Sequence, residues 1–163
     1  MIILVAAMSR GRVIGKDGAL PWGHGRMKHD QNRFRRMIEG KIIAIGAGTY
    51  NPSDDYIQNA GHVFLLTNRD IPNTDKLTAL GSLKPVLEAG KLKDVYVVGG
   101  ARVFEEFLPH ADKLELTYIS AKYEGDRFFP EFSEGDWQIV NEEAHSADSD
   151  NIHPYKFVTL VRK

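Results

Sequence analysis

Short apolar runs recur along the chain and are separated by glycine-rich or charged segments. The runs at Ile2–Met8, 41–46, 62–67 and 94–100 contain few polar residues, which is typical of strands that are covered on both faces. Residues 77–80 predict a further, weaker strand. Because each run is short, a strand is favoured over a buried helix.

Helical patterns lie between these strands. Residues 27–39 carry an apolar stripe at helical spacing, and Gly40 is placed to end this helix at its C-cap. A second helix is predicted from Ser82, as its N-cap, through Glu88, and a third over 101–111. Strands and helices therefore alternate over the first two-thirds of the chain.

The C-terminal third has a different pattern. A strand over 113–121 is followed by strands over 137–143 and 155–162, which the polar loop 144–154 joins as an antiparallel pair. Alternation earlier in the chain predicts a parallel sheet with helices on its faces. The expected fold class is therefore α/β, a three-layer fold with a mostly parallel mixed sheet and an antiparallel C-terminal hairpin, in a single domain over 1–163.

Composition narrows the class of protein. The 163 residues are 42% hydrophobic and 26% charged, with a net charge of -1 and no cysteine. A net charge this small gives no reason to expect nucleic acid or an anionic membrane as partner, and the lack of cysteine excludes disulfides and a thiolate nucleophile. The N-terminal apolar run is too short to cross a membrane. We expect a cytoplasmic monomer that acts on a small molecule.

Glycine marks three strand ends, where ligands bind in sheets of this kind. The long loop 9–25 follows the first strand, Gly46-Ala47-Gly48-Thr49 follows the second, and Gly99-Gly100 precedes a helix. Glycine lets the backbone approach a phosphate closely, and a helix N-terminus adds free N–H donors. Two such ends favour a dinucleotide, although each pair alone is equally typical of a tight strand-to-helix turn.

Asp30 lies at the edge of the apolar stripe of the 27–39 helix, next to Phe34. One interpretation makes it the N-cap of that helix, where aspartate is favoured. The other makes it a pocket carboxylate that grips a planar heterocycle through two N–H groups and helps to protonate it. Position alone leaves both open.

Other polar clusters carry less information. None of the six histidines has the spacing of a metal site, so no metal is expected. The cluster of Arg26, Lys28, Arg33, Arg35 and Arg36 is typical of a solvated helix face, with an anionic ligand tail as the alternative.

Three segments together resemble a known family. They are 6–22, which ends in Leu-Pro-Trp, the helix that carries Asp30 and Phe34, and 95–132, with its Gly-Gly-x-Arg-Val-Phe and Glu-Gly-Asp-x-x-Phe-Pro motifs. The chain is similar to dihydrofolate reductase nearly from end to end. The resemblance implies an eight-stranded sheet with four helices, NADPH as cofactor, and reduction of 7,8-dihydrofolate to tetrahydrofolate for one-carbon metabolism and thymidylate synthesis.

The resemblance also implies roles for individual residues. Asp30 would hold the 2-amino and N3 side of the pterin and promote protonation at N5, with Thr117 supporting it and Leu20 and Trp22 beside it in the catalytic group. Asp126 would lie in a loop that props the active-site loop. The implied substrate site comprises Val5, Ala6, Asp30, Phe34, Arg35, Val98 and Thr117. The implied cofactor site comprises Ala7, Ile14, Gly15, Ala19, Leu20, Gly48, Thr49, Thr67, Asn68, Gly99, Gly100, Ala101, Arg102, Val103 and Phe104.

The sequence departs from the family pattern in three places. Ala47 stands where the family usually has an arginine for the 2′-phosphate of NADPH, with Arg69, Arg102 or His62 as replacements. Residues 59–62 lack the arginine that pairs with the glutamate of folate, and the loop at 23–26 is longer.

The missing tail arginine leaves alternatives open. In the first alternative folate binds weakly, and in the second the basic helix binds the glutamate tail of folate. In the third the substrate has no glutamate. A reductase of another pterin or a pyrimidine, and a nucleotide- or folate-binding module without catalysis, are the rival functions.

Overall fold

Eight strands form one mixed sheet in the computed structural model, which describes residues 1–163. In chain order the elements are β1 (Ile2–Met8), β2 (Val13–Gly15), α1 (Lys28–Ile38), β3 (Ile42–Gly46), α2 (Asp55–Asn59), β4 (His62–Leu66), β5 (Leu77–Leu80), α3 (Lys84–Leu92), β6 (Val95–Gly99), α4 (Ala101–Phe107), β7 (Lys113–Ile119), β8 (Arg127–Phe128), β9 (Trp137–His145) and β10 (Tyr155–Arg162). Short 3-10 turns occur at Arg10–Arg12, Leu108–His110 and Glu134–Asp136.

The strand order in the large sheet is β5-β4-β3-β6-β1-β7-β10-β9. The first six strands in this spatial order, from β5 to β7, pair in parallel with their neighbours. Strand β10 pairs antiparallel with both β7 and β9. The predicted fold class is confirmed, including the C-terminal antiparallel pair and the four helices. The carboxyl ends of β1, β3 and β6 meet at one edge, because these strands are neighbours and run in the same direction.

Apolar side chains cover both faces of the sheet, as the unbroken strand patterns predict. One core packs α3 and α4 against β1 and β6 and contains the fully buried Phe107 and Phe129. A second core packs α1 and α2 against β3 and β4 through Ile38 and Ile57. Helix α1 is thereby held with one face on the sheet and its first turn at the strand ends.

Several element boundaries differ from the sequence prediction. Ser82 does not cap α3, because the helix begins at Lys84, with Pro85 in its first turn, and runs on to Leu92. The segment 9–25 is not all loop, since it contains a 3-10 turn and β2. Helix α2 and the two-residue strand β8 had no signal in the hydrophobic pattern, because elements of two to five residues contain too few positions to show a period.

The two short strands form a separate ribbon that depends on Gly125. Strands β2 and β8 pair antiparallel outside the large sheet. A Cβ atom at Gly125 would lie 2.7 Å from the carbonyl oxygen of Gly15 and would overlap the side chain of Val13. The backbone of the segment before β8 therefore packs directly on β2, with no space for a side chain.

We expect Gly125→Ala to lower the free energy of unfolding by about 1–3 kcal/mol, since overpacking forces the β2–β8 ribbon to shift. Urea unfolding at equilibrium measures the change. Gly135→Ala is the matched control, because its Cβ would meet its nearest neighbour, Ser133 Oγ, at 3.4 Å; there we expect a change within about 0.5 kcal/mol. Equal effects of the two variants would contradict the packing argument.

Candidate active site

A cleft of about 1040 Å³ opens at the carboxyl ends of β1, β3 and β6. Helix α1 forms one wall, and the segment from Gly99 into α4 forms another. The loop between β2 and α1 lines it as well, through residues such as Gly18 and Leu20. This is the edge at which a parallel α/β sheet usually binds ligands.

Asp30 presents its carboxylate to this cleft from the first turn of α1. It does not cap the helix, because Met27 occupies the N-cap position, so the capping interpretation is wrong. Thr117 Oγ1, on β7, donates a 2.6 Å hydrogen bond to Asp30 Oδ1. Burial raises the pKa of Asp30 above its ordinary value, against smaller opposing effects of this hydrogen bond and of the charges on Arg33 and His29. A carboxyl group held in this way can keep a proton at a higher pH than an exposed one.

A buried ion-pair network lies beside Asp30. Arg33, one turn further along α1, places Nη2 2.8 Å from Glu115 Oε2 on β7. Glu115 also contacts Lys113 Nζ and Thr159 Oγ1, each at 2.8 Å. Burial alone would raise the pKa of Glu115, but these cationic and hydrogen-bonding partners outweigh it and hold the pKa below its ordinary value. The network ties α1 to the sheet and keeps a positive charge close to Asp30.

Small and aromatic side chains line the cleft around the carboxylate. Val5, Ala6 and Val98 come from the ends of β1 and β6. Phe34 lies one turn after Asp30 and meets Tyr56 edge to face, with ring centroids 5.2 Å apart. The space beside Asp30 therefore suits a flat, partly apolar ring.

The opposite half of the cleft is built from glycine. A Cβ atom at Gly100 would lie 2.6 Å from Thr49 Oγ1, and one at Gly46 would lie 2.9 Å from Val103 Cγ2. Gly99 has a φ of +133°, a conformation that favours glycine. Backbone at the start of α4 is thus exposed to the cleft, which suits a phosphate group that needs N–H donors at close range.

Three basic residues were predicted to replace the arginine absent at Ala47, and the structure separates them. His62 Nε2 lies 2.9 Å from Thr78 Oγ1 and does not line the cleft, so His62 is excluded. Arg102 pairs with Glu106 on the surface of α4, Nε to Oε1 2.9 Å. Arg69 lines the cleft beside Thr67 and forms none of the ion pairs of the structure.

The loop before α1 forms a flap over the cleft. Lys16 and Ala19 exchange backbone hydrogen bonds of 2.9 and 3.0 Å, and the backbone N–H of Asp17 donates to Asp126 Oδ2 at 3.1 Å. Leu20 is 38% exposed at the flap, whereas Trp22 is buried. The Asp126 contact anchors the flap to the segment that carries β8.

All predicted site residues line this one cleft. They are Val5, Ala6, Ala7, Ile14, Gly15, Ala19, Leu20, Trp22, Asp30, Phe34, Arg35, Gly48, Thr49, Thr67, Asn68, Val98, Gly99, Gly100, Ala101, Arg102, Val103, Phe104 and Thr117. Four residues of the site were not predicted from the sequence: Asp54, Asp55 and Tyr56, which line the cleft near Phe34, and Glu115, which lies behind it. Only the charge of Glu115 inside an apolar strand pattern could have drawn attention to it.

No cluster of three or more histidine or acidic side chains is arranged to hold a metal ion. None of the helices has the length and apolar character needed to span a membrane.

Comparison with known proteins gives consistent matches over the chain. A family model described as dihydrofolate reductase matches residues 1–162. The dihydrofolate reductase of Bacillus subtilis (strain 168) is 32% identical over 164 residues, covering 100% of this chain and 95% of that protein. Dihydrofolate reductase HdrB of Haloferax volcanii is 34% identical over 174 residues, and the match covers 99% of this chain and 83% of that protein.

A solved structure is similar at the level of the whole fold. Dihydrofolate reductase from Enterococcus faecalis, complexed with NADP(H) and RAB-propyl, has a TM-score of 0.84 and 25% sequence identity, and covers 100% of this chain and 96% of that one.

We expect Arg33→Gln to raise the pKa of Asp30, because the change removes a nearby positive charge and leaves the negative charge of Glu115 in place. The loss of a charged hydrogen bond to Glu115 should also cost about 2 kcal/mol of stability. Carbon-13 NMR titration of the Asp30 carboxyl in the folded protein measures the first effect, and urea unfolding measures the second.

Arg36→Gln is the control for this experiment, since Arg36 is exposed on the same helix and forms no contact with Glu115. An equal shift of the Asp30 titration in both variants would mean that net charge, and not the position of Arg33, controls the carboxyl group.

Proposed function

This chain belongs to the dihydrofolate reductase family, and we propose that Asp30 is the acid on which its reduction of 7,8-dihydrofolate by NADPH depends. The observation that carries the proposal is the Asp30 carboxylate at the inner end of the cleft, hydrogen-bonded to Thr117 beside a space for a flat ring. The product is 5,6,7,8-tetrahydrofolate, the reduced folate used in one-carbon metabolism and thymidylate synthesis.

The glycine half of the cleft fits the cofactor. A pyrophosphate needs close backbone approach, and the crowding around Gly46 and Gly100 shows that no side chain could be added there without loss of that space. We propose that the segment from Gly99 to Phe104 holds the pyrophosphate, with Thr49 and Gly48 opposite, and that Thr67 and Asn68 lie at the adenosine ribose. When bound, NADPH supplies the hydride that reduces C6 of the pterin.

The nicotinamide end of this site lies between the flap and the strands β1 and β2. We propose that Ala7, Ile14, Gly15, Ala19 and Leu20 surround the nicotinamide and exclude water from the reacting atoms. Support comes from their position along the same cleft and from the anchoring of the flap at Asp126. Holding two rings in register without water is the main task of such a site.

Asp30 has two tasks in this proposal. Its carboxylate accepts hydrogen bonds from the 2-amino group and the N3 side of the pterin, which orients the ring, and its raised proton affinity favours protonation at N5. Thr117 fixes the carboxylate by donating to Oδ1. Phe34, Val5, Ala6 and Val98 pack on the ring, and Trp22 supports the flap from beneath.

We further propose that the protein works as a single-domain monomer in the cytoplasm, without a nucleic acid partner. A single sheet that includes both the first and the last strand of the chain supports one domain. The small net charge gives no long-range attraction to nucleic acid, and the absence of cysteine suits a reducing compartment.

We expect Asp30→Asn to lower turnover at pH 7 by at least about 100-fold, the usual scale for loss of a general acid. The assay follows NADPH absorbance at ~340 nm with dihydrofolate, as is usual for this cofactor.

The same variant should be more stable than the wild type above neutral pH. Burial raises the pKa of Asp30, so the folded state loses stability as the pH rises through that pKa, and asparagine does not titrate.

The stability gain should be about 0.5–2 kcal/mol at pH 8 and should be much smaller at pH 4, where the aspartate is protonated in the folded state and about half protonated in the unfolded state. Thermal unfolding at the two pH values measures it. Full turnover in a stable Asp30→Asn protein would refute the assignment of the acid.

We expect Arg69→Gln to raise the KM for NADPH about 10-fold and to leave the KM for NADH unchanged, because only NADPH carries the 2′-phosphate. Steady-state kinetics with both cofactors measures the split. Arg102→Gln is the matched comparison, since Arg102 is already paired with Glu106 and should contribute less. If only Arg102→Gln lost the preference for NADPH, Arg102 and not Arg69 would be the residue that binds the 2′-phosphate.

A further inference from the structure

The three arginines of α1 differ in their partners and in their position relative to the cleft. Arg33 lines the cleft but is bound to Glu115, and Arg36 is exposed and does not line the main cleft. Arg35 lines the cleft, but its Nε lies 3.2 Å from Asp55 Oδ2 at the start of α2. Its charge is therefore already balanced by a carboxylate of the protein.

A second carboxylate, that of Asp54, precedes the Arg35 partner Asp55 in the chain. Asp54 and Asp55 both line the cleft, next to Tyr56. Burial raises the pKa of Tyr56 to about 12, and the negative charges of these two aspartates add to the effect of burial. The side chains of Arg35 and Asp55 remain 41% and 58% exposed, so a ligand can reach both.

This end of the cleft lies where a substrate tail leaves. Arg35 is five residues beyond Asp30 on α1, about 7.5 Å along the helix axis at 1.5 Å per residue. A substrate whose heterocycle rests on Asp30 and whose tail runs away from the glycine half passes over Phe34 and Tyr56, which both line the cleft and contact each other edge to face. Its tail then reaches Asp54, Asp55 and Arg35.

Building on the proposed function, we propose that Asp54 and Asp55 make the tail exit selective against polyanionic tails. The preferred substrates are dihydropteroyl compounds with one glutamate or an amidated tail, and not their polyglutamylated forms. The glutamate of dihydrofolate carries an α- and a γ-carboxylate, and each further γ-linked glutamate adds one more. Such a tail finds no unbalanced cation at Arg35 and meets two like charges.

The test is a series of substrates that differ in tail charge. Dihydropteroyl-glutamine, dihydrofolate and dihydrofolate triglutamate are compared for kcat/KM with NADPH, and for Kd by isothermal titration calorimetry. At low ionic strength we expect kcat/KM to fall, and Kd to rise, about 3–10-fold from the first to the last. Added salt should reduce the difference, because exposed charges are screened. This arm needs no variant.

Variants locate the effect. Asp55→Asn and Asp54→Asn should each bring the triglutamate closer to dihydropteroyl-glutamine in kcat/KM, by about 2–5-fold. Glu88→Gln is the matched control, since it removes one exposed carboxylate on α3, where Glu88 pairs with Lys91 away from the cleft. It should leave the ratio between the substrates unchanged.

The outcomes separate the two proposals. Absence of turnover with the expected order of Kd values would refute the proposed function and uphold the tail selectivity. Turnover that improves with each added carboxylate would overturn the selectivity, and loss of that improvement in Arg35→Gln would make Arg35 a receptor for the tail. An unchanged ratio in both aspartate variants would also overturn it.

Discussion

The hydrogen bond between Thr117 and Asp30 fixes the position of helix α1 relative to the large sheet. Thr117 belongs to β7, an interior strand of the sheet, and Asp30 belongs to the first turn of α1, which packs on that sheet. A carboxylate can be kept at the inner end of a cleft only if its remaining hydrogen-bonding capacity is met. In the function proposed above, both the orientation of the substrate and the proton affinity of the site depend on this fixed group.

The sheet could be predicted from the sequence because the physics of each strand is local. A short apolar run such as Ile2–Met8 is stable only as a strand that is buried on both faces. The order of strands and helices along the chain then restricts the topology of the sheet. The ends of helices were harder to predict from the sequence. Pro85 can occupy the first turn of α3, so the helix begins at Lys84 without the side-chain cap that Ser82 would have offered.

The site was predictable where chemistry requires a particular residue type and obscure where charges compensate each other in space. Glycine at a strand end is informative because only glycine permits close approach, and Asp30 stood out against an apolar stripe. In contrast, the roles of Glu115 and Asp55 depend on their pairing with Arg33 and Arg35, which are distant in the sequence. One sequence without its fold cannot show which arginine meets which carboxylate.

The pairing of Arg33 with Glu115 has a consequence for how this protein can evolve. Loss of Glu115 leaves the largely buried Arg33 without its carboxylate partner, and loss of Arg33 leaves Glu115 with Lys113 as its only cationic partner, so either single change is more damaging than exchange of both residues for apolar ones. The two positions are therefore epistatic, and a lineage can leave this arrangement only by a double step or through an intermediate tolerated by the rest of the fold. Since Arg33 also lies beside Asp30, that constraint couples the history of the core to the carboxylate that we propose as the acid of the active site.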